Sequence, residues 1–157
     1  MTIRTVEAIL ERLRPWAPLP LRVALGIGLM IHGGIKLFVP GGHENIAHLI
    51  GQLGMPLPDA MGWVVGCVEF FGGLGILLGA LFTIATTLNA LNVAGLLVFG
   101  GLAGGIPDPL PGGDPLPQFR EAFLIFAGTL TLLLGGPGRL AVDRRRQAAS
   151  LRSPDGQ

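Results

Sequence analysis

Four apolar stretches, each close to the ~20 residues needed to cross ~30 Å of hydrocarbon, fill most of this 157-residue chain. They run over residues 19–39, 60–82, 83–104 and 119–135. Only 13% of the residues are charged, about half the ~25% usual in soluble domains. So few charges cannot cover a water-facing surface. The 26 glycines agree, because glycine is commoner in membrane helices than in soluble ones. The sequence therefore predicts an all-α fold: a bundle of four transmembrane helices, residues 19–135, in a lipid bilayer. Nucleic-acid binding is excluded, since no basic surface remains once the spans are assigned. The single cysteine, Cys67, excludes an internal disulfide and any cysteine-based zinc site.

The segments between and around the spans have their own patterns. In residues 1–18, Val6, Ile9, Leu10 and Leu13 share one helical face, with Arg4, Glu7, Glu11, Arg12 and Arg14 around them. That lead is predicted to be an amphipathic helix on the membrane surface, stopped by Pro15 and Pro18. Between the first two spans Ile46, Leu49, Ile50 and Leu53 recur at helical spacing, bounded by Gly41-Gly42, Gly54 and Pro56. A short interfacial or re-entrant helix is expected there. Thr83 follows Phe82 without a linker, so the second and third spans must form a tight hairpin near Gly79. Five of the 13 prolines fall between Pro107 and Pro117, which predicts an extended loop.

Orientation follows from the flanking cations. Arg4, Arg12 and Arg14 precede the first span, and Arg139, Arg144, Arg145, Arg146 and Arg152 lie in the basic tail, residues 136–157. The loops 40–59 and 105–118 contain neither Lys nor Arg. Both termini are therefore expected on the cytoplasmic side of the inner membrane.

Ionisable residues inside spans are costly and each needs an account. Arg22 lies near the cytoplasmic end of the first span and is expected to snorkel to the headgroups. His32 and Lys36, four apart, share one helical face with it. Glu69 lies mid-span, with Gly62, Gly66, Gly72 and Gly73 on the same face of its helix. A face with so little bulk allows close approach of a partner helix. The carboxylate is expected either to pair with Lys36 or His32 or to remain protonated. Asn89 and Asn92 share a face of the third span, and Glu121 follows Arg120 at the outer end of the fourth. By depth, these side chains converge on a polar pocket opening outward. The best candidates for chemistry are Glu69, His32 and Lys36, with Asn89, Asn92 and Glu121 lining the pocket. Purely structural roles, as ion pairs, interhelical hydrogen bonds or boundary markers, stand beside these. His43 and His48, five apart with no carboxylate-rich cluster, do not suggest a metal, and none is expected.

The sequence resembles the DoxX family of small four-helix membrane proteins. The resemblance is carried by HGGIK at His32–Lys36, EFFGGLGILLG at Glu69–Gly79, Asn92, Glu121, and GPGRLAVD at Gly136–Asp143. The chain departs from it at Arg120, where members often carry an aromatic residue, and in FGGLAGG at Phe99–Gly105, where many have a histidine. The resemblance implies a membrane subunit linked to respiratory or sulfur redox chemistry, including thiosulfate:quinone oxidoreduction. Three functions remain open. The first is a quinone-linked redox subunit, with no covalently bound cofactor and with a partner protein or an extracytoplasmic substrate as electron donor. The second is a non-catalytic subunit that anchors or assembles a redox complex, alone or as a homo-oligomer. The third is a small transporter or proton pathway, which lacks the inverted repeat and broken helices usual in transporters.

Overall fold

A computed structural model describes residues 3–102, 116–138 and 140–143. Helix α1 covers Ile3–Leu13 and passes through a 3-10 turn, Arg14–Trp16, into α2, Pro18–Phe38. Helices α3 (Gly42–Gln52), α4 (Pro58–Leu78), α5 (Phe82–Leu102) and α6 (Leu116–Gly135) follow. Among the described residues there is no strand. Among the described residues, three helical runs are long and apolar enough to cross a membrane: Arg4–Phe38, Pro58–Leu78 and Phe82–Leu102. The expected proline-rich loop falls mostly outside the described residues, as do Arg139, Arg144, Arg145, Arg146 and Arg152.

Two boundaries differ from the sequence expectation. The α-helix of the lead does stop at Leu13, before Pro15, but Pro15 and Pro18 do not break the helical run into the first long helix. Both sit in first-turn positions, where a missing N–H costs nothing, and Ala17 between them keeps a right-handed helical conformation. The second difference is at the hairpin. Helix α4 ends at Leu78, and Phe82 opens α5 instead of closing the previous span. Gly79 takes φ +66°, and the Ala80 N–H donates back to the Gly75 carbonyl at 3.0 Å. This is the glycine-closed helix end that satisfies the last carbonyls.

The start of α5 is capped from the far end of the chain. Leu81 N–H donates to Asp143 Oδ1 at 3.1 Å and Phe82 N–H to Asp143 Oδ2 at 2.9 Å. The Asp143 N–H in turn donates to the Gly79 carbonyl at 3.1 Å. Asp143→Ala is expected to destabilise the fold by about 1 kcal/mol, the usual cost of an N-cap. The unfolding midpoint in mixed SDS micelles measures it, and Asp143→Asn, which keeps one acceptor oxygen, should recover part of the loss. An unshifted midpoint would show that the hairpin does not depend on this cap.

Helices α2, α4, α5 and α6 form a ring in which each touches two neighbours. The closest pair is α2 and α4. A Cβ added to Gly33 would lie 2.7 Å from the Gly66 carbonyl oxygen, and one on Gly26 would lie 2.9 Å from that of Gly73. Small residues spaced seven apart on both helices let the backbones touch, where dispersion and weak polar contacts replace the missing hydrophobic drive. Leu29, Ile76, Phe82, Ala85 and Leu132 fill the centre.

Arg22 corrects the expectation that it reaches the headgroups. It is 1% exposed. Its Nε donates to the Ile76 carbonyl at 3.0 Å, Nη2 to that of Leu77 at 2.9 Å, and Nη1 to that of Pro137 at 2.6 Å. These acceptors stand at the end of α4 and beyond α6, the Ile76 carbonyl also taking the Gly79 N–H at 3.2 Å, and the negative end of the α4 dipole faces the cation. The guanidinium also lies 5.7 Å from the centroid of the Phe82 ring. A position that looks like a boundary on the sequence is here the tie between α2, the hairpin and the segment after α6.

Candidate functional site

The site is built where α2 ends and α3 folds back. Gly41 has φ +80°, and the Ile35 carbonyl occupies the place a Cβ on Gly42 would take. Only a glycine pair permits so abrupt a reversal. Helix α3 then packs across the ends of α2 and α4, with Ile50 and Leu53 buried. His43 secures it: Nε2 pairs with Asp59 Oδ1 at 2.8 Å, and the ring stacks on Trp63 at 4.2 Å between centroids. Gly62 makes room, since a Cβ there would lie 3.0 Å from His43 Cε1.

Beneath α3 is a cavity of about 400 Å³. Its apolar side is made by Ile46, Leu49 and Ile50 of α3 with Leu53 just beyond its end, and its polar side by residues from four helices. Lys36, in the last turn of α2, forms an ion pair with Glu69 of α4. The geometry follows from helix direction. Side chains tilt toward their own N-terminus, so Lys36 leans into the bundle and Glu69 of the antiparallel α4 leans up to meet it. Both are mostly buried, 17% and 11% exposed. Asn92 of α5 brings Nδ2 to 3.5 Å from the other carboxylate oxygen. One turn before Lys36, His32 Nε2 lies 3.2 Å from Glu121 Oε1 of α6, with 40% and 55% of those side chains exposed. A buried, charge-balanced pair next to an apolar wall suits an uncharged ligand with a hydrogen-bonding head and an apolar body.

Of the six residues singled out on the sequence, His32, Lys36, Glu69, Asn92 and Glu121 line this one cavity, and Asn89 does not. Asn89 is fully buried one turn away, where Nδ2 donates to the Val68 carbonyl at 3.2 Å and the Ala85 carbonyl at 2.9 Å. It packs against Gly72, so one glycine of the Glu69 face serves α5 while Gly66 and Gly73 serve α2. A shared helical face set both asparagines at the α4–α5 seam, but only Asn92 is at cavity depth. Asn45 also lines the cavity, from α3. Its signal was available: it stands four residues before Leu49, on the face that also carries Ile46 and Leu53. His48 pairs only with Gln52 within α3, at 3.0 Å, and Cys67 lies exposed on α4.

A family model, DoxX, matches residues 17–103, more than half of the chain. The match covers α2 to α5, and so includes His32, Lys36, Glu69 and Asn92 but not Glu121. No curated protein and no solved structure matches the chain.

Proposed function

The chain belongs to the DoxX family and is a multi-pass membrane protein, and from that premise we propose that it is a quinone-binding subunit of a membrane redox system. In this proposal α6 is the fourth span beside α2, α4 and α5, and both termini are cytoplasmic, as Arg4, Arg12 and Arg14 beside the first span favour. The cavity then lies toward the opposite, outer side. The observation that carries the proposal is the Lys36–Glu69 pair, buried with Asn92 beneath the apolar α3.

A cavity of about 400 Å³ lies at the small end of the range for ligand pockets and suits a ring-sized head. A bound quinone supplies two-electron, two-proton redox chemistry. Lys36 Nζ is the donor available to a ring carbonyl, because it lines the cavity where it meets Glu69. Glu69 is placed to receive or return the Lys36 proton, with Asn92 orienting its second oxygen. His32 and Glu121, which line the same cavity, are placed to relay protons within it. Electrons come from a partner protein or a small extracytoplasmic substrate.

Quinone titration of the purified, detergent-solubilised protein tests this directly. Wild type should bind a short-chain quinone saturably, and Glu69→Gln should bind at least about tenfold more weakly, or ~1.4 kcal/mol. Equal binding by the variant would remove Glu69 from the site. Absence of binding by both would assign the chain to anchoring or assembling a redox complex.

A further inference from the structure

The cavity wall is uneven. Toward α4 it is closed by the tight α2–α4 contact, where Gly66 packs beneath Leu37 and Lys36. Along the seam between α2 and α6 it is different. Deeper in the bundle the seam is sealed, with Leu25 against Gly128 and Leu29 only 2% exposed. Nearer α3, His32, Ile35 and Glu121 line the cavity and are themselves half-exposed. The His32–Glu121 pair thus spans an opening in the wall. Around it the outer surface is apolar: Ile31, Ile35 and Leu124 are all exposed. His32 stands six residues before the end of α2 at Phe38, ~9 Å inside the helix end at ~1.5 Å per residue. With α2 and α6 both spanning the bilayer, as in the proposed function, an opening at that depth, rimmed by apolar side chains, faces acyl chains and not headgroups.

We propose that the cavity exchanges its ligand sideways with the bilayer, between α2 and α6, and that the His32–Glu121 pair latches that opening. The ligand is then a membrane-dissolved, uncharged amphiphile, not a water-borne ion. This rests on the cavity being the ligand site, as in the proposed function, but not on the ligand being a quinone. A single contact at 3.2 Å between two half-exposed side chains closes the opening, so removing either partner frees it.

Access is measured with a thiol reporter in full-length protein in liposomes. Val65, half-buried in the α4 wall of the cavity, is replaced as Val65→Cys on a Cys67→Ser background. Two maleimides are compared, one carrying a long alkyl chain and dissolved in the bilayer, the other charged and membrane-impermeant. Each rate is expressed relative to that of the exposed Cys67 in otherwise unchanged protein. The bilayer reagent should label the reporter at least about tenfold faster than the charged one. Adding His32→Ala and Glu121→Ala should raise the bilayer rate severalfold and leave the charged rate as it was. If the double variant unfolds, Glu121→Gln, which keeps the shape and removes the charge, takes its place with the same expectation. Equal or faster labelling by the charged reagent would overturn the proposal in favour of a water-side entrance under α3. So would labelling by neither reagent, or a bilayer rate indifferent to the latch. No quinone is present in the assay, so its failure and a failure to bind quinone are separate results.

Discussion

Arg22→Ala should cost the folded protein about 3–5 kcal/mol, since each buried carbonyl left unsatisfied costs about 1–3 kcal/mol. Three carbonyls lose the guanidinium at once, those of Ile76, Leu77 and Pro137, and Ile76 keeps a second donor, the Gly79 N–H at 3.2 Å. Hydrogen bonds to a charged group are worth about 1.5–3 kcal/mol each, and part of that returns when the alanine variant no longer has to desolvate a cation. The orphaned carbonyls have little access to water, because Arg22 is 1% exposed and Ala141, packed against the same turn, is fully buried. Arg22→Lys should recover less than half of the loss. An ammonium is a point donor, whereas three acceptors on two chain segments are matched by the planar fork of the guanidinium. The midpoint of unfolding in mixed SDS micelles, followed by far-UV circular dichroism, reads both variants. A loss under about 1 kcal/mol for Arg22→Ala would return the residue to the role of a surface anchor.

Gly33→Ala should be comparably damaging by the opposite route, adding atoms where there is no space. The new methyl would lie 2.7 Å from the Gly66 carbonyl oxygen and 2.9 Å from Phe70 Cα, both backbone atoms that cannot rotate away. Helices α2 and α4 must separate, and overpacking of this kind costs about 1–3 kcal/mol. The effect should extend to the cavity, because Lys36 stands one turn beyond Gly33 and meets Glu69 only across this contact. Weaker ligand binding is therefore expected together with the lower unfolding midpoint. Gly28→Ala is the internal control. Nothing lies within 4 Å of a Cβ there, and replacing a helical glycine should leave stability unchanged or raise it by about 0.5–1 kcal/mol. Equal behaviour of the two variants would show that backbone contact does not hold this pair together.

Much of the architecture is legible in the chain because hydrocarbon leaves the backbone few choices. A segment that crosses it must satisfy its own N–H and C=O groups, so a long apolar run becomes a helix whatever its neighbours do. Pro58 opening α4, Gly79 closing it and Gly41-Gly42 turning α3 back are likewise local effects of φ and of absent side chains. The candidate site was legible to the extent that cost identifies a residue: Glu69, Lys36, His32, Asn92 and Glu121 are polar where polarity is expensive.

Tertiary structure decided which group each of those side chains meets. Arg22, His32 and Lys36 share one stripe of α2 and have three different fates. Arg22 is consumed by the open end of α4, Lys36 by a carboxylate at cavity depth, and His32 by a half-exposed glutamate of α6. Asn89 and Asn92 diverge in the same way, one fastening α5 to α4 and the other facing the cavity. Asp143 is beyond any local reading, because the N–H groups it caps belong to a turn at Leu81 and Phe82. Helical periodicity sets the angle at which a side chain leaves its own axis. What stands at that angle depends on the register and depth of the neighbouring helix, and here these come from glycine contacts between helices far apart in the chain.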